Sequence, residues 1–179
     1  MARVPYLERD DLPEEHRKIY DKLTAERGAV WNLFRALAHA PGVLAALLDL
    51  SHQLRHRTKL DPKLRELAIL TVGRLAESQY EFDHHWNMAL KLGIPREKLE
   101  KLAHWETAPI FTDEERAVIR FAVESTRDIK VNEATFNALR NFLDNERIVE
   151  LTMEVAMYNA IVRVLLPLHV ELEQDFVKN

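Results

Sequence analysis

Start and stop signals for helices recur along the whole chain, and strand signals are nearly absent. Pro13 follows Asp10-Asp11-Leu12 and opens a helical pattern that runs to Arg27, where Gly28 supplies a left-handed C-terminal residue. Pro41 opens a second segment through about Arg57. Asp61-Pro62 opens a third, whose apolar residues Leu64, Leu67, Ala68 and Leu75 fit a buried stripe. Gly93 stops a helix containing Phe82, Trp86 and Leu90, and Pro95 opens the next. Thr112 with Glu115 makes a capping box for a helix near 113–127, Asn132 caps one near 133–143, and a last stretch covers roughly 146–176. The β-branched residues fall within helical periods, and no Asn-Gly or Asp-Gly hairpin turn occurs. The chain is therefore read as all-α.

Length and charge narrow the function. A 179-residue chain fits one domain, residues 1–179, and buries about 70% of its unfolded surface. A composition of 47% hydrophobic and 30% charged residues argues for a folded globule and against disorder. The net charge of −4, with both signs interspersed, provides no basic face for a nucleic-acid backbone, so no nucleic-acid partner is expected. The N-terminal residues lack the apolar core of a signal peptide and no apolar run approaches the length of a membrane span, so the expectation is a cytoplasmic protein without a membrane partner. The chain has no cysteine, which removes disulfides, thiolate metal sites and thiol catalysis together.

Titratable groups crowd residues 61–93: Glu66 in an apolar-periodic helix, then Ser78-Gln79-Tyr80-Glu81-Phe82-Asp83-His84-His85. On one straight helix Glu66 and His85 would stand about 30 Å apart and share nothing. Ser78 and Glu81 form a Ser-x-x-Glu capping box, which marks a new helix start and lets two helices fold back on each other. Glu81 and His85 are then i,i+4 neighbours on one face, with Glu66 brought up by packing. At the edge of the buried stripe, next to Leu67, Glu66 is expected to be partly desolvated with its pKa pushed upward. Which of His84 and His85 faces inward stays open at this level. Tyr80, Phe82 and Trp86 are expected in the core, and Tyr80 and Trp86 can also wall an apolar pocket.

These residues carry a family likeness. Leu64-Arg65-Glu66-Leu67-Ala68-Ile69-Leu70, Tyr80-Glu81-Phe82-x-x-His85 and Met88-Ala89-x-x-x-Gly93-Ile94 resemble the carboxymuconolactone decarboxylase and alkylhydroperoxidase D superfamily, and Asn32-x-Phe34-Arg35-x-Leu37-Ala38-His39-x-Pro41 is similar to the loop and helix before its core. The likeness covers about residues 30–100 well. It implies an alkylhydroperoxidase D-like helical bundle and a homo-oligomer, a trimer or a hexamer, with sites near subunit contacts. It also implies that the peroxidase branch has a carboxylate at Glu66, cysteines at Ser78 and Glu81, and a histidine at His85. Without thiols, peroxidase chemistry is excluded unless another thiol is supplied. The decarboxylase branch is the nearer match, with Glu and His at the positions of Glu81 and His85. Glu150-Leu151 followed by His169 repeats the spacing of Glu66-Leu67 and His85. This echo of a duplicated helical unit is read as structural.

The expected function is cofactor-free proton transfer on a small organic acid, lactone or carbonyl compound, of the lyase type. His85 is assigned as general acid/base, Glu66 as its partner and Glu81 as the group that tunes the charge. Tyr80, His84 and Trp86 are expected around the substrate, with Arg65 or Arg35 receiving its carboxylate. Two other functions stay in view. Glu66, Glu81, His84 and His85 are acceptable metal ligands, although no His-Glu-x-x-His or His-x-His pattern is present and no metal is assigned. A non-catalytic oligomeric scaffold would use the apolar C-terminal helix, with Val155, Ala156, Ile161, Val162, Leu165, Leu166 and Leu168, as an interface.

Overall fold

The computed structural model describes all 179 residues apart from the side chain of Arg27. The described residues form nine α-helices, with no strand: α1 Arg17–Arg27, α2 Asn32–Leu37, α3 Pro41–His56, α4 Pro62–Leu75, α5 Gln79–Lys91, α6 Arg96–Glu100, α7 Asp113–Arg127, α8 Glu133–Arg140 and α9 Asn145–Leu168. Asp61 accepts from the backbone N–H groups of Lys63 and Leu64, and Thr112 and Glu115 close the expected capping box at α7. α4 is the axis of the fold. Every residue from Arg65 to Gly73 is buried, because α5, α7 and α9 pack around it. One core gathers α1–α4, α7 and α9; a second, around Leu67, Leu70, Trp86 and Trp105, lies on the other side of α4.

The break between α4 and α5 is built on the backbone rather than on a capping box. Ser78 N–H donates to Gly73 O and Glu77 N–H to Arg74 O, while Glu77 takes a left-handed φ of 54°. This is a Schellman turn with glutamate where glycine is usual. The Ser78–Glu81 capping box does not form: Ser78 Oγ is buried without a hydrogen-bond partner, the Ser78 N–H goes to Gly73 O, and the Glu81 carboxylate turns to His85. Gly73 lets the two helices approach, since a Cβ there would stand 3.2 Å from the Phe82 nitrogen.

Three other expectations need correction. Asn132 makes no side-chain cap, and α8 ends at Arg140; Glu124 takes the Asn132 N–H and the Thr135 hydroxyl instead. The last helix stops at Leu168 rather than near 176. Pro167 lacks an N–H, and His169 turns left-handed at φ 52°, with Val170 N–H closing on Leu165 O. Finally, α9 is long and apolar enough to cross a membrane by length and composition, contrary to the sequence expectation. Its Ile148, Leu151, Val155, Val162 and Leu165 face is core. Glu150 binds the N–H groups of Lys59 and Leu60 and His169 ends the helix, so neither joins a second cluster.

Candidate active site

Glu66, Glu81 and His85 converge and are all buried. His85 Nδ1 lies 2.5 Å from Glu66 Oε2, and its Nε2 lies 2.9 Å from Glu81 Oε1. The helical i,i+4 spacing brings Glu81 to one side of the imidazole, and the α4–α5 turn brings Glu66 to the other. Arg55 at the end of α3 reaches Glu66 Oε1 at 3.5 Å, and Arg65 Nε stands 3.7 Å from the same oxygen. Arg55 also donates to the Tyr158 hydroxyl at 3.2 Å. Tyr158 meets the His85 ring edge-on, with centroids 4.8 Å apart.

The electrostatics correct one expectation. Burial alone would raise the Glu66 carboxyl, but His85, Arg55 and Arg65 outweigh it and hold Glu66 below the ordinary carboxylate range. Burial likewise opposes the imidazolium of His85, yet Glu66 and Glu81 overcome it and raise the pKa. The center of the site is thus an imidazolium between two carboxylates. For Tyr158 burial is the leading cause and its pKa is raised, so its hydroxyl stays neutral and can donate.

A cavity of about 40 Å³ adjoins the cluster, lined by Glu81, His85, Arg55, Tyr158, Tyr80 and His84 among apolar groups. That is room for a few waters, each of which needs about 10–15 Å³ of such space. Outside it lies an open groove of about 850 Å³. Trp31, His84 and Met88 line both, so they form the wall between them. The chain after α9 braces that wall. Glu173 accepts from His84 Nε2 at 2.8 Å, Tyr80 Oη at 3.0 Å and the Asn32 N–H at 2.7 Å. The His84 ring sits 4.4 Å from Trp31, 4.6 Å from Tyr80 and 4.6 Å from Phe176.

Of the residues expected around a substrate, Tyr80 and His84 line the inner cavity; both His84 and His85 are buried, on neighbouring parts of one face. Trp86 does not: residues 81, 84, 85 and 88 share a helical face, and Trp86 turns to the second core, its Nε1 donating to Asn179 O. Arg65 is spent on the carbonyls of Leu54 and Arg55 and on buried carboxylates. Arg35 lines only the outer groove, paired with Glu8 and Asn32. The cation at the cavity is Arg55, which the sequence reading missed along with Tyr158, Glu154 and Glu173. Arg55 lies four residues after Ser51 and seven after Leu48, both cavity residues, and Glu154 and Tyr158 fall on the apolar stripe of α9. Charged groups on those stripes were the available signal. Glu173 offered none, because its segment reads as helix.

An all-helical alkylhydroperoxidase D-like fold with an acid/base cluster is the class these features define. Residues 41–124 match the Carboxymuconolactone decarboxylase family, and the chain, which has no cysteine, is similar in fold to alkylhydroperoxidase D-like proteins. It is 28% identical over 106 residues to the uncharacterized protein YnjA of Escherichia coli (strain K12), a match spanning 59% of this chain and 58% of that relative's length. It is similar in fold to an alkylhydroperoxidase AhpD core, an uncharacterized peroxidase-related protein from Ralstonia eutropha JMP134, with a TM-score of 0.84 and 22% identity over 97% of this chain and 93% of the other. It is also similar in fold to the debrominase Bmp8, solved as a cysteine-to-alanine variant with 2,3,4-tribromopyrrole, with a TM-score of 0.82 and 17% identity over 96% and 91% of the two chains. At these identities the structures speak for the fold alone.

Proposed function

We propose that the protein is a cytoplasmic enzyme of the lyase type that moves a proton, without a thiol or cofactor, on a small organic acid, lactone or carbonyl compound. The observation that carries this reading is Glu81, which lines the cavity while its Oε1 meets His85 Nε2 at 2.9 Å. Both nitrogens of His85 face carboxylates, so Glu81 rather than His85 is the group that meets substrate. In a decarboxylation, the breaking C–C bond leaves its electron pair on carbon, spread onto a neighbouring carbonyl. Tyr158 Oη–H and the Arg55 guanidinium polarise that carbonyl. The His85 Nε2 proton passes to Glu81, Glu81 gives it to the carbon, and Glu66 holds the imidazole in place. Solvent then restores the proton to His85. The substrate enters from the outer groove, and Trp31, His84 and Met88 shift to admit its reacting end, because the inner cavity alone is too small.

The assembly is proposed to be a homo-oligomer, a trimer or a hexamer. Val149, Met153, Ala156 and Ala160 are exposed on one side of α9, an apolar stripe flanked by Thr152 and Arg163 and suited to a second copy. The fold neighbour that holds a brominated pyrrole supports a small organic ligand in this architecture. Turnover of a panel of β-oxo acids and lactones tests the reading. Glu81→Gln, Glu66→Gln and His85→Ala are each expected to lose more than about 100-fold, the size of a general acid/base contribution. Undiminished turnover in these variants overturns the assignment, and binding without any turnover by the wild type supports the scaffold instead.

A further inference from the structure

Glu154 belongs to none of the groups used above, and its surroundings are unusual for a carboxylate. It sits on the core face of α9, 1% exposed, and neither oxygen has a hydrogen-bond donor among the described residues. Arg65 is its ion-pair partner. Arg65 Nε stands 3.7 Å from Glu154 Oε1 and 3.7 Å from Glu66 Oε1, and it hydrogen bonds to neither. The Arg65 Nη1 group is held by the carbonyls of Leu54 and Arg55. One guanidinium is therefore divided between a carboxylate of the catalytic cluster and a carboxylate outside it. The charges acting on Glu154 are Arg65 and Glu66 from α4, Arg55 from α3 and His85 from α5, with Tyr158 one turn along its own helix. With every group ionised, Arg55, Arg65 and His85 balance Glu66, Glu81 and Glu154.

We infer that Glu154 is an internal proton store, a positioning residue that gains and loses its proton in step with the Glu66–His85–Glu81 relay through the Arg65 it shares with Glu66. A carboxylate buried without donors relieves its desolvation by taking a proton. Burial lifts the Glu154 carboxyl to about 7, against the pull of Arg65 and Arg55. When Glu154 is protonated, Arg65 is left to Glu66 and steadies its negative charge. When Glu154 ionises, it competes for Arg65 and adds negative charge near His85, which tightens the hold of His85 on its proton. An anion entering the cavity acts in the same direction on Glu154, drawing a proton onto it. The inference rests on the proposed acid/base reaction only for its effect on turnover; the coupled titration stands on the geometry of the resting protein.

Nuclear magnetic resonance of the whole protein tests it, with glutamates labelled at Cδ and the histidine ring nitrogens followed across pH. The expected result is a Glu154 Cδ signal that titrates near 7, together with an inflection of the His85 ring signals at the same pH. Glu154→Gln removes that inflection and keeps the fold, and Glu154→Asp restores it. A purely packing role for Glu154 would move neither signal. A Glu154 Cδ that remains ionised down to pH about 5, near its ordinary range, overturns the inference, as does a His85 titration identical in wild type and Glu154→Gln. Should Glu154→Gln fail to fold, the wild-type Cδ titration decides alone. Failure of the proposed reaction on every substrate leaves these titrations unchanged, so the two failures are told apart.

Discussion

His85 Nδ1 and Glu66 Oε2 stand 2.5 Å apart on two helices joined only by Ala76, Glu77 and Ser78, with Glu66 wholly buried and His85 nearly so. Removing either partner leaves a charge in the interior without its counterpart. Glu66→Gln and His85→Gln are each expected to cost about 3–5 kcal/mol, and the double variant clearly less than the sum of the two. Urea unfolding of all four forms measures the coupling. Additive losses would show that the pair does not interact.

Stability should follow pH through three groups, Glu66 with one sign and His85 and Glu154 with the other. Glu66 is held below its ordinary value, so its contribution is present above 4.5 and is lost as pH falls through its folded pKa. His85 is raised, so its contribution is full below 6.5 and is lost as pH rises through its folded pKa. Glu154 is raised from 4.5 to about 7, so the folded form keeps a proton the unfolded chain gives up, and stability falls as pH climbs across that window. One pKa unit is worth about 1.4 kcal/mol. Glu154→Gln is expected to flatten the decline between pH 4.5 and 7 in unfolding free energies; equal slopes contradict it.

Glu77 pays for the α4–α5 turn with a left-handed φ of 54°. The left-handed conformation costs an L-residue roughly 1–2 kcal/mol, partly offset by the chain entropy that a glycine adds to the unfolded state. Glu77→Gly is therefore expected to stabilise the protein by about 1 kcal/mol and to leave the His85 ring signals in place. Thermal unfolding checks the first expectation, and a lower midpoint contradicts it.

Gly73 sets how closely α4 approaches α5. A Cβ there meets the Phe82 backbone nitrogen at 3.2 Å and Glu81 Cβ at 3.5 Å, and neither is the far end of a flexible side chain. Gly73→Val is expected to lose about 1–3 kcal/mol through overpacking and to disturb His85 by moving Glu81. An unchanged His85 spectrum in a destabilised variant would separate the packing from the site.

The outer stripe of α9 is expected to carry self-association. Met153, 41% exposed, shares its side of α9 with Val149, 61% exposed, and Met153→Glu puts a charge into that apolar stripe. Light scattering should then report a smaller species than the wild-type oligomer, with helicity unchanged. A wild type that is monomeric at high concentration rules the stripe out as an interface.

The all-α fold was legible because Pro41, Pro62, Pro95, Gly28 and Gly93 punctuate it locally, and local signals survive packing. The meeting of Glu66, Glu81 and His85 was also legible, although for a different reason than the capping box offered: Glu81 could cap the helix or face His85, and burial beside an imidazolium decided it. The role of Arg55 was not legible. It sits 11 residues before Glu66, and its approach to that carboxylate depends on how α3 crosses α4. The segment after Leu168 was misread as helix because His169 takes a left-handed turn that its sequence does not advertise. With it went Glu173, whose three hydrogen bonds to α2 and α5 brace the wall between groove and cavity.

The central claim is that Glu81, supplied through His85, delivers a proton to substrate carbon. Decarboxylation of a β-oxo acid in deuterium oxide tests it most directly, with the isotope at the vacated carbon read by mass spectrometry in wild type and Glu81→Gln. The account predicts a wild type that labels this carbon more than about 100-fold faster than Glu81→Gln, the magnitude of a positioned general acid. Equal rates in the two proteins would contradict it.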